Sequence, residues 1–191
     1  MAKKSLSEVK RSLRIRLLKL LRSQKEEDRL KKSRIIRKKL FKTKEFKRAK
    51  TVLFYASFDG EVETFDMMKQ AKRLGKKIVL PIIVRKKREI ILSLVHDLKK
   101  DLVSGPHGIK QPRVSRLNAI RVGDIDLAVV PGVGFDKNNN RLGRGAGYYD
   151  RFLGDIPSCI PTFGLAFDFQ VISAVPHKKG QDIPVCHVVV N

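Results

Sequence analysis

The stretch Asp126–Leu153, DLAVVPGVGFDKNNNRLGRGAGYYDRFL, decides the fold class of this chain. It begins with an apolar run typical of a buried strand, which stops at a Pro-Gly pair, and it ends with the start of a short helix. Between them, Gly143, Gly145 and Gly147 alternate with other residues. A strand, a glycine loop and a helix N-terminus together often hold phosphate, because glycine lets backbone N–H groups approach an anion and the helix end adds positive partial charge.

The glycine loop matches neither of the two best-known phosphate motifs. No Lys-Ser or Lys-Thr pair follows it, as a Walker A loop requires, and the last glycine of a dinucleotide fingerprint would fall on Tyr148. A glycine-rich surface loop with tight turns is the alternative. Arg141, Arg144 and the tyrosine pair favour an anion site, and Asp150 is spaced to hold a metal ion beside the anion.

The length and cysteine content indicate a stably folded domain that needs no disulfide. With 191 residues, we expect a single α/β domain over 1–191, with a basic helical region 1–50 packed onto it. Cys159 and Cys186 form neither a disulfide framework nor a metal-binding spacing, so we expect free thiols and a cytoplasmic location. No apolar run has the length of a membrane span, so no membrane partner is expected.

The formal net charge is +23, and residues 1–50 alone carry 21 Lys and Arg against 5 Asp and Glu. Such an excess bears on partners rather than on fold, and it favours anionic ligands such as nucleic acids, membrane surfaces or phosphate- and carboxylate-bearing molecules.

Helix and strand patterns alternate along the chain. Leucine spacing predicts an amphipathic helix over 5–22, and Ser23 with Glu26 predicts a capping box that starts a second helix over 24–41. Thr64 is the predicted N-cap of a helix that ends before Gly75. Apolar runs predict strands over 51–56, 78–84, 90–95, 127–130, 160–166 and 187–190, whereas 96–122 reads as a loop. The prediction is therefore an α/β fold in three layers: a mostly parallel twisted sheet, helices on both faces, and the phosphate-binding glycine loop after a central strand.

Several of these segments resemble the 5-formyltetrahydrofolate cyclo-ligase (methenyltetrahydrofolate synthetase) family. The most specific are Pro131–Asp136 and Arg141–Asp150. Lys10–Arg14, Gly60–Thr64 and Gly105–Pro112 are similar to three further family segments in the same order. The resemblance implies an ATP- and Mg²⁺-dependent ligase that converts 5-formyltetrahydrofolate to 5,10-methenyltetrahydrofolate and releases ADP and phosphate.

The resemblance also implies a role for individual residues. The ATP-binding residues would be Lys10, Arg14, Arg141, Leu142, Gly143, Arg144, Gly145, Ala146, Gly147, Tyr148 and Tyr149. The substrate-binding residues would be Tyr55, Ala56, Phe58, Glu61, His107 and Tyr148, with Glu61 meeting the amino-pyrimidine edge of the pterin. Asp150 and Asp182 would bind Mg²⁺. Two positions depart from the family pattern, because His107 stands where an aromatic is common and Cys186 where an acid is common.

Two other functions remain open from the residues alone. A basic nucleic-acid-binding protein would use region 1–50 as a phosphate-tracking surface, although the chain has no Trp and no RRM, KH or zinc-finger pattern. A general ATP-dependent kinase would transfer phosphate without a folate. If the ligase interpretation holds, the partners are small molecules, and the basic N-terminal region would favour polyglutamylated folates, without an obligatory nucleic acid.

Overall fold

The computed structural model describes residues 5–105, 108–178 and 180–191. It begins with three helices, α1 (Leu6–Ser23), α2 (Glu26–Lys42) and α3 (Lys44–Arg48), followed by β1 (Thr51–Leu53). Helix α4 (Phe65–Arg73) leads to β2 (Lys77–Val84) and β3 (Glu89–Val95). The remaining elements follow in chain order: β4 (Leu102–Ser104), β5 (Lys110–Pro112), β6 (Ala119–Ile120), β7 (Leu127–Val130), β8 (Gly134–Asp136), β9 (Arg141–Leu142), α5 (Tyr148–Asp155), β10 (Thr162–Ala166), β11 (Val171–Ile172) and β12 (His187–Val190).

A seven-stranded sheet forms the middle layer, in the order β12-β10-β7-β1-β2-β3-β6. The strands from β12 to β2 run parallel, whereas β3 is antiparallel to both β2 and β6. Parallel strands need crossover connections that cover the sheet, so both of its faces are buried. This mostly parallel sheet confirms the predicted fold class.

Successive residues of a strand pack in hydrophobic cores on opposite faces of the sheet. On one face, Val52 of β1 packs in the core formed with α1 to α4, which includes Ile36 and Met67. On the other, the next residue, Leu53, packs in the core that includes Phe152 of α5. The alternation follows from the two-residue period of a strand. Helices therefore cover both faces, as the sequence predicts.

The glycine segment departs from the predicted connection. It does not follow β7 directly, because β8 and β9 form an antiparallel hairpin between β7 and Gly143. The carboxylate of Asp136 organises the hairpin turn by accepting hydrogen bonds from the backbone amides of Asn138, Asn140 and Val175. Strand β7 lies in the interior of the sheet between β10 and β1, so the glycine segment still lies near the carboxyl end of an interior strand.

Two local predictions are wrong, and a third holds in position but not in its hydrogen bond. The Ser23–Glu26 capping box does not form, since Ser23 is the last residue of α1 and its hydroxyl donates to the carbonyl of Leu20. Thr64 is the N-cap residue of α4, as predicted, but its hydroxyl donates to the carbonyl of Tyr55 instead of capping the helix, and Glu63 accepts the first amides of the helix. The predicted loop 96–122 contains the hairpin β4–β5 and the edge strand β6.

Candidate active site

Two cavities meet at the glycine segment. We call the first the aromatic cavity, because Tyr55, Phe58, Tyr148 and Tyr149 line it, and the second the charged cavity, because Lys10, Arg14 and Asp182 line it. Each has a volume of about 570 Å³. Both are lined by Arg141, Gly143, Gly145, Gly147 and Asp150. These five residues therefore form a wall with one cavity on each side.

Arg141 is the central cation of this wall. It lies on β9 and is only 4% exposed, yet it faces both cavities. Its guanidinium donates to Oδ1 of Asp150 at 2.6 Å and to the carbonyl of Pro131 at 3.2 Å. Its Nε atom is buried without a hydrogen-bond partner among the described residues. A buried donor without a partner is uncommon in folded proteins, so the hydrogen-bonding capacity of this guanidinium is not filled by the described residues.

A side chain at residue 143 would crowd the guanidinium of Arg141, which would then have to shift. A Cβ on Gly143 would lie 2.9 Å from Nη1 of Arg141, closer than two such atoms normally approach. At the other end of the segment, Gly147 has φ of 71°, a left-handed conformation that starts α5 and that other residues adopt only with strain. The two glycines therefore serve the wall in different ways. Gly143 leaves room for the guanidinium of Arg141, and Gly147 adopts a backbone conformation that other residues avoid.

Helix α1 forms one side of the charged cavity. Lys10 and Arg14 are one turn apart, so both side chains point the same way. Nζ of Lys10 contacts Oδ2 of Asp182 at 2.5 Å, and Nε of Arg14 donates to the carbonyl of Gly143 at 2.8 Å. Burial alone would raise the pKa of Asp182, but the hydrogen bonds from Lys10 and from the amide of Lys178 hold it below its usual range. A carboxylate from the C-terminal part of the chain thus faces a cation from its first helix.

Glu61 is the more buried of the two acidic residues that line the aromatic cavity, the other being Asp150. Glu61 is 6% exposed, and burial raises its pKa to about 7 despite the opposing charge of Arg144. Burial, reinforced by the charge of Glu61, also raises the pKa of Tyr149, so that phenol stays neutral. The cavity thus combines aromatic and aliphatic walls with one carboxyl group that titrates near neutral pH.

Arg144 spans the edge of the aromatic cavity. It donates to Oε1 of Glu61 at 3.0 Å and to Oδ2 of Asp59 at 3.0 Å, and its guanidinium lies 4.0 Å from the centre of the Phe58 ring. Asp59 also accepts two hydrogen bonds from Arg22. The Arg22 guanidinium, and to a smaller extent Arg144, hold the pKa of Asp59 below its usual range against the effect of burial.

The predicted ATP-binding residues separate into two groups. Seven of them line the charged cavity: Lys10, Arg14, Arg141, Leu142, Gly143, Gly145 and Gly147. Arg144, Ala146, Tyr148 and Tyr149 line only the aromatic cavity. The sequence segment is continuous, but Arg144, Ala146 and Tyr148 face the aromatic cavity alone, whereas the glycines between them line both cavities.

The predicted substrate-binding residues that the structure describes lie together. Tyr55, Ala56, Phe58, Glu61 and Tyr148 all line the aromatic cavity. His107 lies outside the described residues. Of the predicted metal ligands, Asp150 lines both cavities and Asp182 lines the charged cavity. Each is already paired with a cation, Asp150 with Arg141 and Asp182 with Lys10.

Sequence reasoning missed several lining residues. The aromatic cavity also contains Pro81, Ile83, Arg85, Ile109, Lys110 and Gln111, and the charged cavity contains Arg151, Gln181 and Ile183. The alternation of Pro81, Ile83 and Arg85 along β2 was the available signal, since alternate residues of a strand share one face.

Within the described residues, no helix is long and apolar enough to cross a membrane.

Comparison with known proteins gives one consistent result. The model of the 5-formyltetrahydrofolate cyclo-ligase family matches residues 6–191. The 5-formyltetrahydrofolate cyclo-ligase of Haemophilus influenzae is 31% identical over 149 residues, which cover 77% of this chain and 79% of the relative. The 5-formyltetrahydrofolate cyclo-ligase of Mus musculus is 30% identical over 187 residues, 92% of this chain and 91% of the relative.

Solved structures agree with the sequence matches. The structure of Aquifex aeolicus 5,10-methenyltetrahydrofolate synthetase superposes with a TM-score of 0.83 at 33% identity, covering 95% of this chain and 89% of the other. A 5,10-methenyltetrahydrofolate synthetase from Mycoplasma pneumoniae gives a TM-score of 0.74 at 25% identity, covering 94% and 97%.

Proposed function

The chain belongs to the 5-formyltetrahydrofolate cyclo-ligase family, and from this premise we propose that it is an ATP-dependent ligase that converts 5-formyltetrahydrofolate to 5,10-methenyltetrahydrofolate. The observation that carries the proposal is the shared wall, because a reaction between a folate and a nucleotide needs one site for each and a point where they meet. Nothing in the comparisons supports a nucleic-acid-binding role.

Each cavity suits one of the two substrates. The aromatic cavity offers flat apolar surfaces for a pterin ring and a carboxylate, Glu61, that can accept two N–H hydrogen bonds from an amino-pyrimidine edge. The charged cavity offers Lys10, Arg14 and the glycine backbone to phosphate groups. The resemblance implies that Arg144 binds phosphate, but its contacts with Phe58 and Glu61 support the proposal that it contacts the folate instead.

The reaction requires that the formyl oxygen of the folate be converted into a good leaving group. An amide-like formyl oxygen leaves poorly, so the proposed reaction transfers the γ-phosphoryl group of ATP to that oxygen and releases ADP. N10 of the folate then attacks the formyl carbon and loses its proton to solvent, and the carbon–oxygen bond breaks as phosphate leaves. Arg141 faces both substrates, and its buried charge would stabilise the negative charge on the transferring group. The chain contributes mainly alignment and exclusion of water.

Asp150 and Asp182 fit a magnesium ion that arrives with the nucleotide. Mg²⁺ is usually bound by one or two carboxylates together with phosphate oxygens and water. Both carboxylates line the charged cavity, and the described residues contain no group of three or more His, Cys, Asp or Glu side chains suited to a metal. When bound, the ion would neutralise phosphate charge, and Arg141 and Lys10 would have to share their carboxylates with it.

The direct test is an assay with purified protein, 5-formyltetrahydrofolate, ATP and Mg²⁺, followed by the near-UV absorption of the methenyl product. We expect absorption to rise only when all three components are present, with ADP formed in equal amount. A folded sample that stays inactive beside an active control enzyme would refute the function. ADP formation that does not depend on the folate would instead favour the kinase alternative.

A further inference from the structure

We propose that Asp59 is a positioning residue of the aromatic cavity: its carboxylate holds the guanidinium of Arg144 over the ring of Phe58, where the folate would bind. The inference rests on the proposed function and deepens it, because it concerns the same folate site. The sequence resemblance implies no role for Asp59, and Asp59 does not line the aromatic cavity itself. Its effect on the substrate would therefore pass through Arg144.

A tight turn places two carboxylates beside one guanidinium. The turn runs from Phe58 to Glu61, and the amide of Glu61 donates to the carbonyl of Phe58 at 3.1 Å. Asp59 and Gly60, its two central residues, have φ of 52° and 81°, and Asp-Gly is a preferred pair for a turn with two left-handed residues. Asp59 and Glu61 then both accept hydrogen bonds from Arg144 at 3.0 Å.

The end of α1 fixes this turn from outside the aromatic cavity. Nε and Nη2 of Arg22 donate to the two carboxylate oxygens of Asp59 at 2.7 and 2.9 Å. The side-chain amide of Gln24 donates to the carbonyl of Gly60 at 3.2 Å. A Cβ on Gly60 would lie 2.1 Å from the carbonyl oxygen of Leu21, so the turn packs this closely against α1 because residue 60 has no side chain. Asp59 is therefore oriented independently of Arg144.

Asp59 and Glu61 differ in their protonation. The hydrogen bond from Arg22, more than any other interaction, holds the pKa of Asp59 below its usual range, whereas burial raises the pKa of Glu61 to about 7. At pH 7, Asp59 is therefore a permanent anion, while Glu61 is charged in about half of the molecules. The partner that Arg144 keeps in both protonation states of Glu61 is Asp59.

Substrate binding would leave Asp59 as the remaining carboxylate partner of Arg144. In the free protein, Oε1 of Glu61 accepts two hydrogen bonds from Arg144, and Oε2 accepts one from the amide of Phe58. A pterin that donates two N–H groups to Glu61 competes with Arg144 for Oε1. Asp59 allows Arg144 to release Glu61 and still stay over the ring of Phe58. A side chain that is already held in place loses less conformational entropy when it contacts a ligand.

The first experiment measures KM for 5-formyltetrahydrofolate in Asp59→Asn. Asparagine tolerates a left-handed backbone, so this change removes the charge without straining the turn. We expect KM for the folate to rise about threefold to tenfold, the cost of ordering one long side chain, while kcat and KM for ATP stay within about twofold. Asp59→Gly, which also suits the positive φ, should raise KM for the folate at least as much. Wild-type KM values in both variants would overturn the proposal.

A double-mutant cycle distinguishes positioning from a general effect on the fold. If Asp59 acts through Arg144, then Arg144→Gln should raise KM for the folate, and adding Asp59→Asn to it should cause no further rise. Two effects that multiply in the double variant would mean that Asp59 acts by another route, and they would overturn the proposal.

A matched control removes an aspartate that pairs with an arginine elsewhere. Asp124 accepts two hydrogen bonds from the guanidinium of Arg121 and lines neither cavity, so Asp124→Asn should leave both KM values unchanged. An equal rise in KM for the folate in Asp124→Asn and Asp59→Asn would overturn the proposal. Absence of turnover by the folded wild-type protein would refute the proposed function and this inference with it. The other outcomes arise only in an active enzyme, so the two failures are distinguishable.

Discussion

At the scale of single residues, folding moves the pKa of Glu61 into the neutral range, where its protonation state affects substrate binding. Its burial raises the pKa to about 7, so about half of the molecules without ligand carry a neutral Glu61 at that pH. Accepting two N–H groups from a pterin requires the carboxylate, so binding must release the proton. Because the folded-state pKa is raised, the contribution of this group to stability is fully present at acidic pH and is lost as the pH rises through about 7.

We therefore predict that KM for 5-formyltetrahydrofolate falls as the pH rises towards about 7 and levels off above it. Below the pKa the change should approach about tenfold per pH unit, because only the deprotonated fraction binds. Steady-state kinetics across this range would measure it. In Glu61→Gln the KM should be high and nearly independent of pH, and a wild-type profile that is flat through neutrality would contradict the assignment.

Arg144 supplies a control for the same prediction. Its charge lowers the pKa of Glu61, so Arg144→Gln should move the midpoint of the pH profile upwards. Arg22→Gln removes a cation that pairs with Asp59 and forms no hydrogen bond with Glu61 among the described residues, so its midpoint should stay near the wild-type value. Equal shifts in both variants would mean that the pairing between Arg144 and Glu61 is not specific.

At the scale of elements, the start of α5 depends on one glycine. Gly147 has φ of 71°, and a side chain there costs about 1–2 kcal/mol in backbone strain. We predict that Gly147→Ala lowers the free energy of unfolding by about this amount and raises KM for ATP, because the glycine wall shifts. Chemical denaturation and kinetics would measure the two effects.

The same helix contains the control for this prediction. Gly154 lies inside α5, and a Cβ added there would meet no heavy atom within 4 Å. Gly154→Ala should therefore raise the free energy of unfolding by about 0.5–1 kcal/mol. If both alanine variants were equally destabilised, the left-handed conformation of Gly147 would not be the cause.

Helix α1 gives a second prediction at this scale. Lys10 and Arg14 face the charged cavity, so Lys10→Ala or Arg14→Ala should raise KM for ATP and lower kcat/KM about tenfold to a hundredfold, the value of a charged phosphate hydrogen bond of roughly 1.5–3 kcal/mol. Arg11 and Arg16 are exposed on the same helix. Arg11→Ala and Arg16→Ala should change KM little, and four variants with the same response would show that the face of the helix does not matter.

At the scale of the whole molecule, α1 is held over the glycine segment by a small separate core. Leu17 is 1% exposed and packs with Val133, Leu142 and Val175, which lie in or beside the β8–β9 region. We predict that Leu17→Ala lowers the free energy of unfolding by about 2–4 kcal/mol and also raises KM for ATP, although Leu17 lines neither cavity. Leu20 is 41% exposed, so Leu20→Ala should affect neither quantity appreciably. An unchanged KM in a destabilised Leu17→Ala would show that α1 is not positioned through this core.

The sequence by itself determined the fold class and the glycine segment, because both depend on local patterns. Apolar runs of strand length mark the parallel sheet, and the glycines between Arg141 and Tyr148 mark a close approach of the backbone. The local sequence pattern gave a wrong prediction where a residue suits both the start and the end of a helix. Ser23 has the pattern of a helix start, but it is the last residue of α1. The β4–β5 and β6 pairings were missed because short strands are stabilised by distant partners rather than by their own sequence.

Only the tertiary structure decided which residues face each other across the site. Arg144 meets Glu61, Lys10 meets Asp182, and Arg85 shares a cavity with Tyr55 through the register of β2 against β1. The pKa of Glu61 follows from the same cause, since burial and a charge from another segment set it. Charge pairing and desolvation depend on distance in space, and residues far apart in the chain acquire those distances only when the sheet and helices pack.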